Sequence, residues 1–170
     1  MSNRSLWINR KFTFGFPVSD FPSIIRRLKE TPVKIKDLIE GIQDTVLKSS
    51  LNGKWSIQEH IGHLAILESI FLGRLDDYES ELEVLRHADM SNESTNGADY
   101  NSVDIRDITD NFTLERGKLI QRLAAYPPDI FNRVALHPRL NKPMRMVDNI
   151  YFEAEHDDHH LAAISKLLQQ

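Results

Sequence analysis

The sequence of 170 residues contains no cysteine. This absence excludes disulfide bonds, thiolate zinc sites and a catalytic cysteine supplied by the chain itself. No stretch approaches the roughly 18 uninterrupted apolar residues of a membrane-spanning helix, and residues 1–17 lack the apolar run of a secretory signal peptide. We therefore expect a cytoplasmic protein that has no membrane partner.

Positive charge is not in excess either. The chain has 21 basic and 25 acidic residues, for a net charge of −4. Nucleic acids and anionic membranes are bound through a basic field, so we expect no nucleic-acid partner. A glycine-rich phosphate loop and the nucleophile motif G-x-S-x-G are also missing. The remaining composition is ordinary for a globular protein, and the length predicts one domain over residues 1–170.

Apolar residues repeat at helical spacing in four long segments. These run from about residue 20 to 43, from 57 to 85, from about 103 to 126, and from 144 to nearly 170. The first should kink or restart at Thr31-Pro32, because proline suits the first turn of a helix. The second begins with a capping box formed by Ser56 and Glu59. With almost no strand signal, the predicted fold class is all-α, a four-helix bundle.

Three segments lie outside the predicted helices. Residues 1–18 are predicted to form an extended strap in which Phe12, Phe14 and Phe16 share one side. We expect it to pack on the bundle, and an interface element is the alternative. Residues 88–101 form a polar surface loop longer than a tight helical hairpin needs, and residues 129–143 form an irregular link. The acidic residues between 76 and 83 are expected to form a solvated face.

The last helix contains His156 and His160, which are four residues apart. This spacing places both imidazoles on one face, where they could chelate one divalent metal such as zinc or nickel. Burying unpaired polar groups costs a few kcal/mol each, so both rings need partners in this largely apolar strip. The alternative is two ordinary histidines on a half-buried face. Two histidines seldom complete a metal site, so a third ligand is required.

His60 and His63 are the candidates for the third ligand. His60 lies nearer the middle of the apolar stripe of its helix, and His63 lies at the edge. Periodicity slightly favours His60 as the inward residue, whereas a residue at the edge could reach a site at the rim of the bundle. Spacing leaves this choice open.

Other side chains are weaker candidates for acid–base, orienting or substrate-binding roles. Each also has a plainer role as a helix cap, a satisfied core group, a loop residue or a surface charge. They are Glu59, His60, His137, Arg145, Asp157 and Asp158.

Two motifs carry a resemblance to a known family. They are Lys54-Trp55-Ser56-Ile57-Gln58-Glu59-His60-Ile61-Gly62-His63-Leu64 and Ala154-Glu155-His156-Asp157-Asp158-His159-His160-Leu161. Together they resemble the DinB/YfiT-like superfamily of metal-dependent enzymes. Residues 11–17 and 28–32 resemble its YfiT-like branch, and the similarity covers nearly the whole chain.

The resemblance implies a cofactor and its ligands. The family binds a divalent metal, often zinc or nickel, through one histidine of W-S-x-x-E-x-x-x-H-L and two of H-x-x-x-H. In this sequence those positions are His63, His156 and His160, and His159 is not counted as a ligand. The resemblance also implies a bundle with a crossover connection, which would suit the long loop over residues 88–101.

Three histidines leave coordination positions open, as in catalytic rather than structural sites. The resemblance implies a metal-dependent hydrolase or a thiol S-transferase, with thiol-dependent isomerases also among the relatives. The partners would be a small-molecule substrate, a low-molecular-weight thiol in the thiol-dependent cases, and a second copy in a homodimer. The alternative is a non-catalytic dimeric module with a structural or vestigial metal site. That alternative predicts a fourth ligand, such as Glu59 or His60, and no pocket beside the metal.

Overall fold

The structure is a computed structural model that describes residues 7–50 and 53–169. The helices are α1 (Phe21–Ile39), α2 (Asp44–Leu47), α3 (Ile57–Glu79), α4 (Glu93–Gly97), α5 (Ile105–Ala125) and α6 (Met146–Leu167). An antiparallel hairpin of β1 (Val134–His137) and β2 (Lys142–Arg145) precedes α6. Short 3-10 turns occupy Trp7–Asn9, Val18–Asp20, Tyr100–Ser102 and Pro128–Asn132.

The four long helices pack in an order that differs from their order along the chain. Helix α1 packs against α5 and α6, and α3 packs against the same two helices. The successive helices α1 and α3 therefore lie across the bundle from each other, as do α5 and α6. An up-and-down bundle would make successive helices neighbours. The prediction of an all-α four-helix bundle with a crossover connection is confirmed, with the small hairpin as an addition.

Helix α1 continues through Pro32, so of the predicted kink or restart at this proline the restart is wrong. Proline lacks an N–H, which leaves the carbonyl of Leu28, four residues earlier, without its helical donor. The buried Arg116 of α5 supplies the missing donor, with 3.0 Å between its Nη1 and the Leu28 oxygen. The helix then ends at Ile39, a few residues earlier than predicted.

Arg116 links all four long helices at the centre of the bundle. Its guanidinium, only 1% exposed, contacts the Glu68 carboxylate of α3 at 2.6 Å and the Asp157 carboxylate of α6 at 2.6 Å. The hydroxyl of Thr31 in α1 also donates to Asp157, at 2.8 Å. Burial acts to lower the pKa of Arg116, but the two carboxylates raise it above its ordinary value, so the guanidinium stays charged.

Helix α3 is shorter than the apolar pattern predicts. It ends at Glu79, and Glu81 has a left-handed φ of 54°. The chain then pairs with β1, with 3.0 Å between the Leu85 nitrogen and the Leu136 oxygen. Leu85 is therefore buried without being helical.

One member of the predicted acidic face is not solvated. Asp77 is 3% exposed, and its carboxylate accepts hydrogen bonds from the backbone and the guanidinium of Arg86. Burial alone would raise the pKa of this carboxyl, but the bonds from Arg86 lower it below the ordinary value.

The linkers contain more structure than predicted. The predicted surface loop at 88–101 includes α4, whose Thr95 is only 2% exposed. The predicted irregular link at 129–143 includes β1 and the start of β2. The first linker packs against α3 and the second against α6, and both contribute walls to the site described below.

The extended segment at residues 11–17 lies on α6. Phe12, Phe14 and Phe16 are half-buried and alternate with exposed residues. The Phe12 ring lies 5.0 Å from the ring of Phe152, and the Phe16 ring lies 5.1 Å from that of Tyr151. Residues 1–6 of the predicted strap lie outside the described residues. Among the helices that the structure describes, none has the length and apolarity needed to cross a membrane.

Candidate metal centre

The three predicted ligands come together from two neighbouring helices. His63 lies on α3, and His156 and His160 lie one turn apart on α6. One ring nitrogen from each lies within 4.8 Å of the other two. The three residues are 6%, 7% and 4% exposed, respectively. The structure therefore places three buried imidazoles where one ion could contact all of them, and their role as ligands stays a prediction.

Hydrogen bonds show which nitrogens face the common point. The Nδ1 of His63 is hydrogen-bonded to Thr95 Oγ1 at 2.9 Å, and the Nδ1 of His160 to the Nδ1 of His60 at 2.8 Å. The Nε2 atoms of His156 and His160 are 3.2 Å apart. Two nitrogens held 2.0–2.1 Å from one tetrahedral ion would lie about 3.3 Å apart. The Nε2 side of the cluster therefore matches the spacing of two ligands on one ion.

His60 and Thr95 occupy the positions of outer partners. A metal-binding imidazole usually hydrogen-bonds through its second nitrogen, which fixes the tautomer and orients the ring. His60 does this for His160, and Thr95 does it for His63. His60 is half-buried behind His160, outside the three-histidine cluster, whereas His63 is only 6% exposed, so the preference of the periodicity for His60 as the inward residue is wrong.

Burial keeps these imidazoles neutral. It lowers the pKa of His60 and of His63 to about 4, with a smaller contribution from neighbouring histidines. The pKa values of His156 and His160 are lowered well below the ordinary value, by burial first and by the adjacent histidines second. Metals bind the neutral imidazole, so the donor set is ready for a divalent ion at neutral pH.

A capping box fixes the start of α3, about two turns before His63. The Ser56 hydroxyl accepts a hydrogen bond from the Glu59 nitrogen at 3.2 Å, and the Glu59 carboxylate accepts one from the Ser56 nitrogen at 2.6 Å. Glu59 therefore caps α3. The ring of Trp55, just before the cap, lies 4.7 Å from the ring of His63. Its Nε1 donates to Asn96 at 2.9 Å, which ties α4 to the site.

Gly62 allows the loop to approach α3. A Cβ at this position would lie 2.4 Å from the ring of Tyr100, far inside van der Waals contact. The loop that carries Tyr100 also carries Thr95, the partner of His63. The sequence reasoning missed Thr95. The one sequence signal was Gly62, which lies between His60 and His63 and indicates that another segment approaches α3 closely at this point.

A cleft of about 320 Å³ lies beside the histidines. Its walls come from the residues near the N-terminus, α3, the loop after α3, the hairpin and α6. The apolar part includes Trp7, Trp55, Leu67, Phe71, Met90 and Phe152, and the polar part includes Arg74, His87, Asp89, His137, Arg139 and His159. The alternative of a closed site predicted a fourth ligand, Glu59 or His60, and no pocket beside the metal. In the structure the cleft is present, Glu59 is hydrogen-bonded to the Ser56 nitrogen, and His60 is hydrogen-bonded to His160.

The weaker candidates divide between the cleft and the scaffold. His137 lines the cleft, as the sequence indicated it could. Arg145 forms an ion pair with Asp148 at 2.7 Å and is not part of the cleft wall. Asp157 is buried against Arg116, so its expected place on the helix surface is wrong.

These features define a four-helix-bundle protein with a buried three-histidine cluster suited to a divalent metal. Residues 27–164 match the DinB superfamily, and the chain belongs to that family, as its two motifs predicted. The fold is similar to that of YfiT from Bacillus subtilis, with a TM-score of 0.82 and 20% identity over 94% of this chain and 92% of that one. YfiT is described as a probable metal-dependent hydrolase with an unusual four-helix bundle topology. No curated protein sequence is significantly similar to this chain.

Proposed function

We propose that this protein is a metal-dependent hydrolase in which His63, His156 and His160 hold a divalent ion beside a small-molecule substrate. The observation that carries the proposal is the convergence of three buried, neutral imidazoles at the wall of a cleft. The description of YfiT, which has the same fold, as a probable metal-dependent hydrolase supports it.

The ion would supply Lewis acidity and would lower the pKa of a coordinated water. The chain's own residues orient the imidazoles. His60 and Thr95 hydrogen-bond to His160 and His63, and the rings of Trp7 and Trp55 pack against those of His156 and His63, respectively. In hydrolysis the oxygen of water bonds to the electrophilic carbon, the bond to the leaving group breaks, and a proton of the water ends on the leaving group.

The same donor set would serve a thiol S-transferase, the second activity that the family resemblance implies. The chain has no cysteine, so the thiol would have to enter as a low-molecular-weight cosubstrate. Zinc and nickel are the metals we propose, because both suit imidazole ligands. The homodimer and the cytoplasmic location stay predictions.

The experiment starts with the metal content of the purified protein, measured by mass spectrometry. Protein stripped with a chelator is then reloaded with zinc or nickel and assayed on simple esters and amides, with and without added thiols. We expect about one equivalent of metal, and hydrolysis that follows metal loading and is lost in His63→Ala. His87→Ala is the control for metal content, because His87 lines the cleft outside the cluster.

The outcomes separate the alternatives. Thiol conjugation without hydrolysis would identify a transferase. Full metal loading with no turnover of any ester, amide or thiol acceptor would support the non-catalytic module. Absence of metal from wild-type protein after reloading would overturn the proposal.

A further inference from the structure

Two arginines in the cleft wall differ from every other arginine in the described part of the chain. All the others form an ion pair with an aspartate or a glutamate. Arg74 and Arg139 form none, and both line the cleft beside the three histidines. Arginine is always charged in proteins, so this wall carries two positive charges, and no described carboxylate lies at salt-bridge distance from either of them.

Arg139 has spare hydrogen-bonding capacity. Its half-buried guanidinium lies 5.6 Å from the centre of the Trp7 ring and 5.8 Å from that of Phe152. It donates to the Trp7 carbonyl at 3.3 Å, which is its one hydrogen bond to the described residues. A guanidinium has five N–H donors, so most of this fork is free to bind a ligand.

Arg74 is held loosely in place. It is 3% exposed, and its bonds to the carbonyl of Arg86 and the amide oxygen of Asn149 are all 3.4 Å long. Ordinary N–H···O bonds measure about 2.7–3.2 Å. A closer acceptor would therefore compete with these contacts.

His137 provides a third and independent sign of a missing acceptor. It is 2% exposed and lines the same cleft. Its Nδ1 accepts a hydrogen bond from the Leu140 nitrogen at 3.3 Å, so in the neutral ring the proton is on Nε2. Burial, followed by the charges of Arg74 and Arg139, lowers its pKa to about 3, which keeps the ring neutral. The buried Nε2–H has no hydrogen-bond partner among the described residues.

The nearby carboxylates do not cancel both positive charges of this wall. Asp89 lines the cleft and stays ionised, because hydrogen bonds from Ser91 and Ser94 lower its pKa to about 2, but it forms no ion pair with an arginine among the described residues. Asp77 also interacts electrostatically with Arg74, but its carboxylate is paired with Arg86 at 2.8 Å. Glu153 interacts electrostatically with Arg74, but burial raises its pKa to about 8. At neutral pH Glu153 therefore carries a proton, and the wall stays positive although the whole chain has a net charge of −4.

We propose that Arg139, Arg74 and the Nε2–H of His137 form a subsite for the carboxylate of a small organic acid, with the reacting group of the same molecule at the three histidines. The inference rests on the proposed function and specifies its substrate class. Carboxylates and phosphates both match an arginine fork. The aromatic and aliphatic walls of the cleft suit the carbon body of an organic acid, and about 320 Å³ is in the size range of small-molecule sites.

Calorimetric titration of the metal-loaded protein tests the subsite with three probes: succinate, its neutral counterpart succinamide, and inorganic phosphate. We expect succinate to bind at least about tenfold more tightly than either of the others. Arg139→Gln and His137→Phe should each weaken succinate binding about tenfold, because each removes a donor to the carboxylate. Arg106→Gln is the matched control, since it removes the same charge from a side chain that is 84% exposed, and it should change binding less than twofold.

Circular dichroism and metal content verify that each variant is folded and loaded. Succinate that binds only to the metal would bind equally well to Arg139→Gln, and this result would overturn the subsite. Absence of succinate binding to wild-type protein, equal binding of succinamide, or a preference for phosphate would also overturn it.

A kinetic comparison separates this inference from the proposed hydrolase. Monomethyl succinate should have a kcat/KM at least about tenfold above that of dimethyl succinate, and Arg139→Gln should remove the difference. Equal hydrolysis of both esters would overturn the proposed carboxylate subsite but not the proposed hydrolase activity. Succinate binding that depends on Arg139, with no ester hydrolysed, would support the subsite and overturn the hydrolase activity.

Discussion

The second nitrogen of each clustered histidine decides how firmly its ring is held. His63 and His160 each have a hydrogen-bond partner there, Thr95 and His60, respectively. Such outer partners typically change metal affinity by about 10–100-fold without being ligands themselves. A metal ligand can therefore be distinguished from a hydrogen-bond partner of a ligand by how far its replacement lowers the affinity for the metal.

Replacement of each histidine by alanine tests this distinction. His63→Ala, His156→Ala and His160→Ala should each lose stoichiometric metal, because two imidazoles seldom hold an ion. His60→Ala should keep one equivalent at saturating metal, with a dissociation constant about 10–100-fold higher. Competition with a chromogenic chelator measures both quantities. Full metal content in His63→Ala would show that the third ligand is wrongly assigned.

Glu153 is a buried carboxyl whose protonation should affect stability. One of its oxygens accepts a hydrogen bond from Asn149 at 2.6 Å, and the other has no partner among the described residues. Burial raises its pKa from 4.5 to about 8. Between these values the folded state binds more protons than the unfolded state, so the free energy of unfolding falls as pH rises.

Glu153→Gln should remove this pH dependence, because the amide has a similar shape and cannot ionise. Relative to wild type, the variant should gain stability from pH 5 to pH 8, by at most about 1.4 kcal/mol per pH unit. Urea denaturation across this range measures the difference. The exposed Glu83→Gln is the control and should track the wild type. Parallel pH profiles for Glu153→Gln and wild type would contradict the predicted protonation.

The long helices could be predicted because their apolar period is a local property of the chain. Helices α5 and α6 accordingly begin and end close to the predicted bounds. The end of α3 could not be predicted, since Leu85 keeps the helical spacing but is buried by pairing with Leu136, which is distant in sequence. The hairpin was missed because its strands are short and irregular in pattern.

The residues of the candidate site likewise fall into those that the sequence could predict and those that it could not. The pair His156 and His160 lies on one helix, so its spacing was visible in the sequence. Periodicity could not choose between His60 and His63, and the family resemblance made that choice. Thr95 and Arg139 come from linkers that reach the cleft only through tertiary packing, and no local pattern indicates where they point.

Gly62→Ala tests whether the packing of the loop against α3 supports the metal centre. The new Cβ would overlap the Tyr100 ring, and overpacking of this kind costs about 1–3 kcal/mol. Displacement of the loop should also remove Thr95 from His63 and weaken metal binding. Thermal denaturation and metal titration measure the two effects. Gly117→Ala is the control, because a Cβ there meets nothing within 4 Å in the middle of α5, and it should stabilise the protein. Unchanged metal affinity in Gly62→Ala would contradict the role of the loop.

The crossover connection places the candidate ligands side by side. Helices α3 and α6 are neighbours because α1 and α3 lie across the bundle from each other. In an up-and-down bundle of the same four helices, α3 and α6 would be diagonal, and His63 would lie far from His156 and His160. The unusual order of the helices is therefore a condition for the site.

Arg116 holds this arrangement together through buried charges, since it contacts α1, α3 and α6 from α5. Arg116→Met should lower the free energy of unfolding by about 3–5 kcal/mol, because Glu68 and Asp157 would be left buried without a cation. Urea denaturation measures the loss. The exposed pair of Lys36 and Asp110 gives the control, and Lys36→Met should cost less than about 1 kcal/mol. If Arg116→Met cost no more than Lys36→Met, the predicted stabilisation by the buried charges would be contradicted.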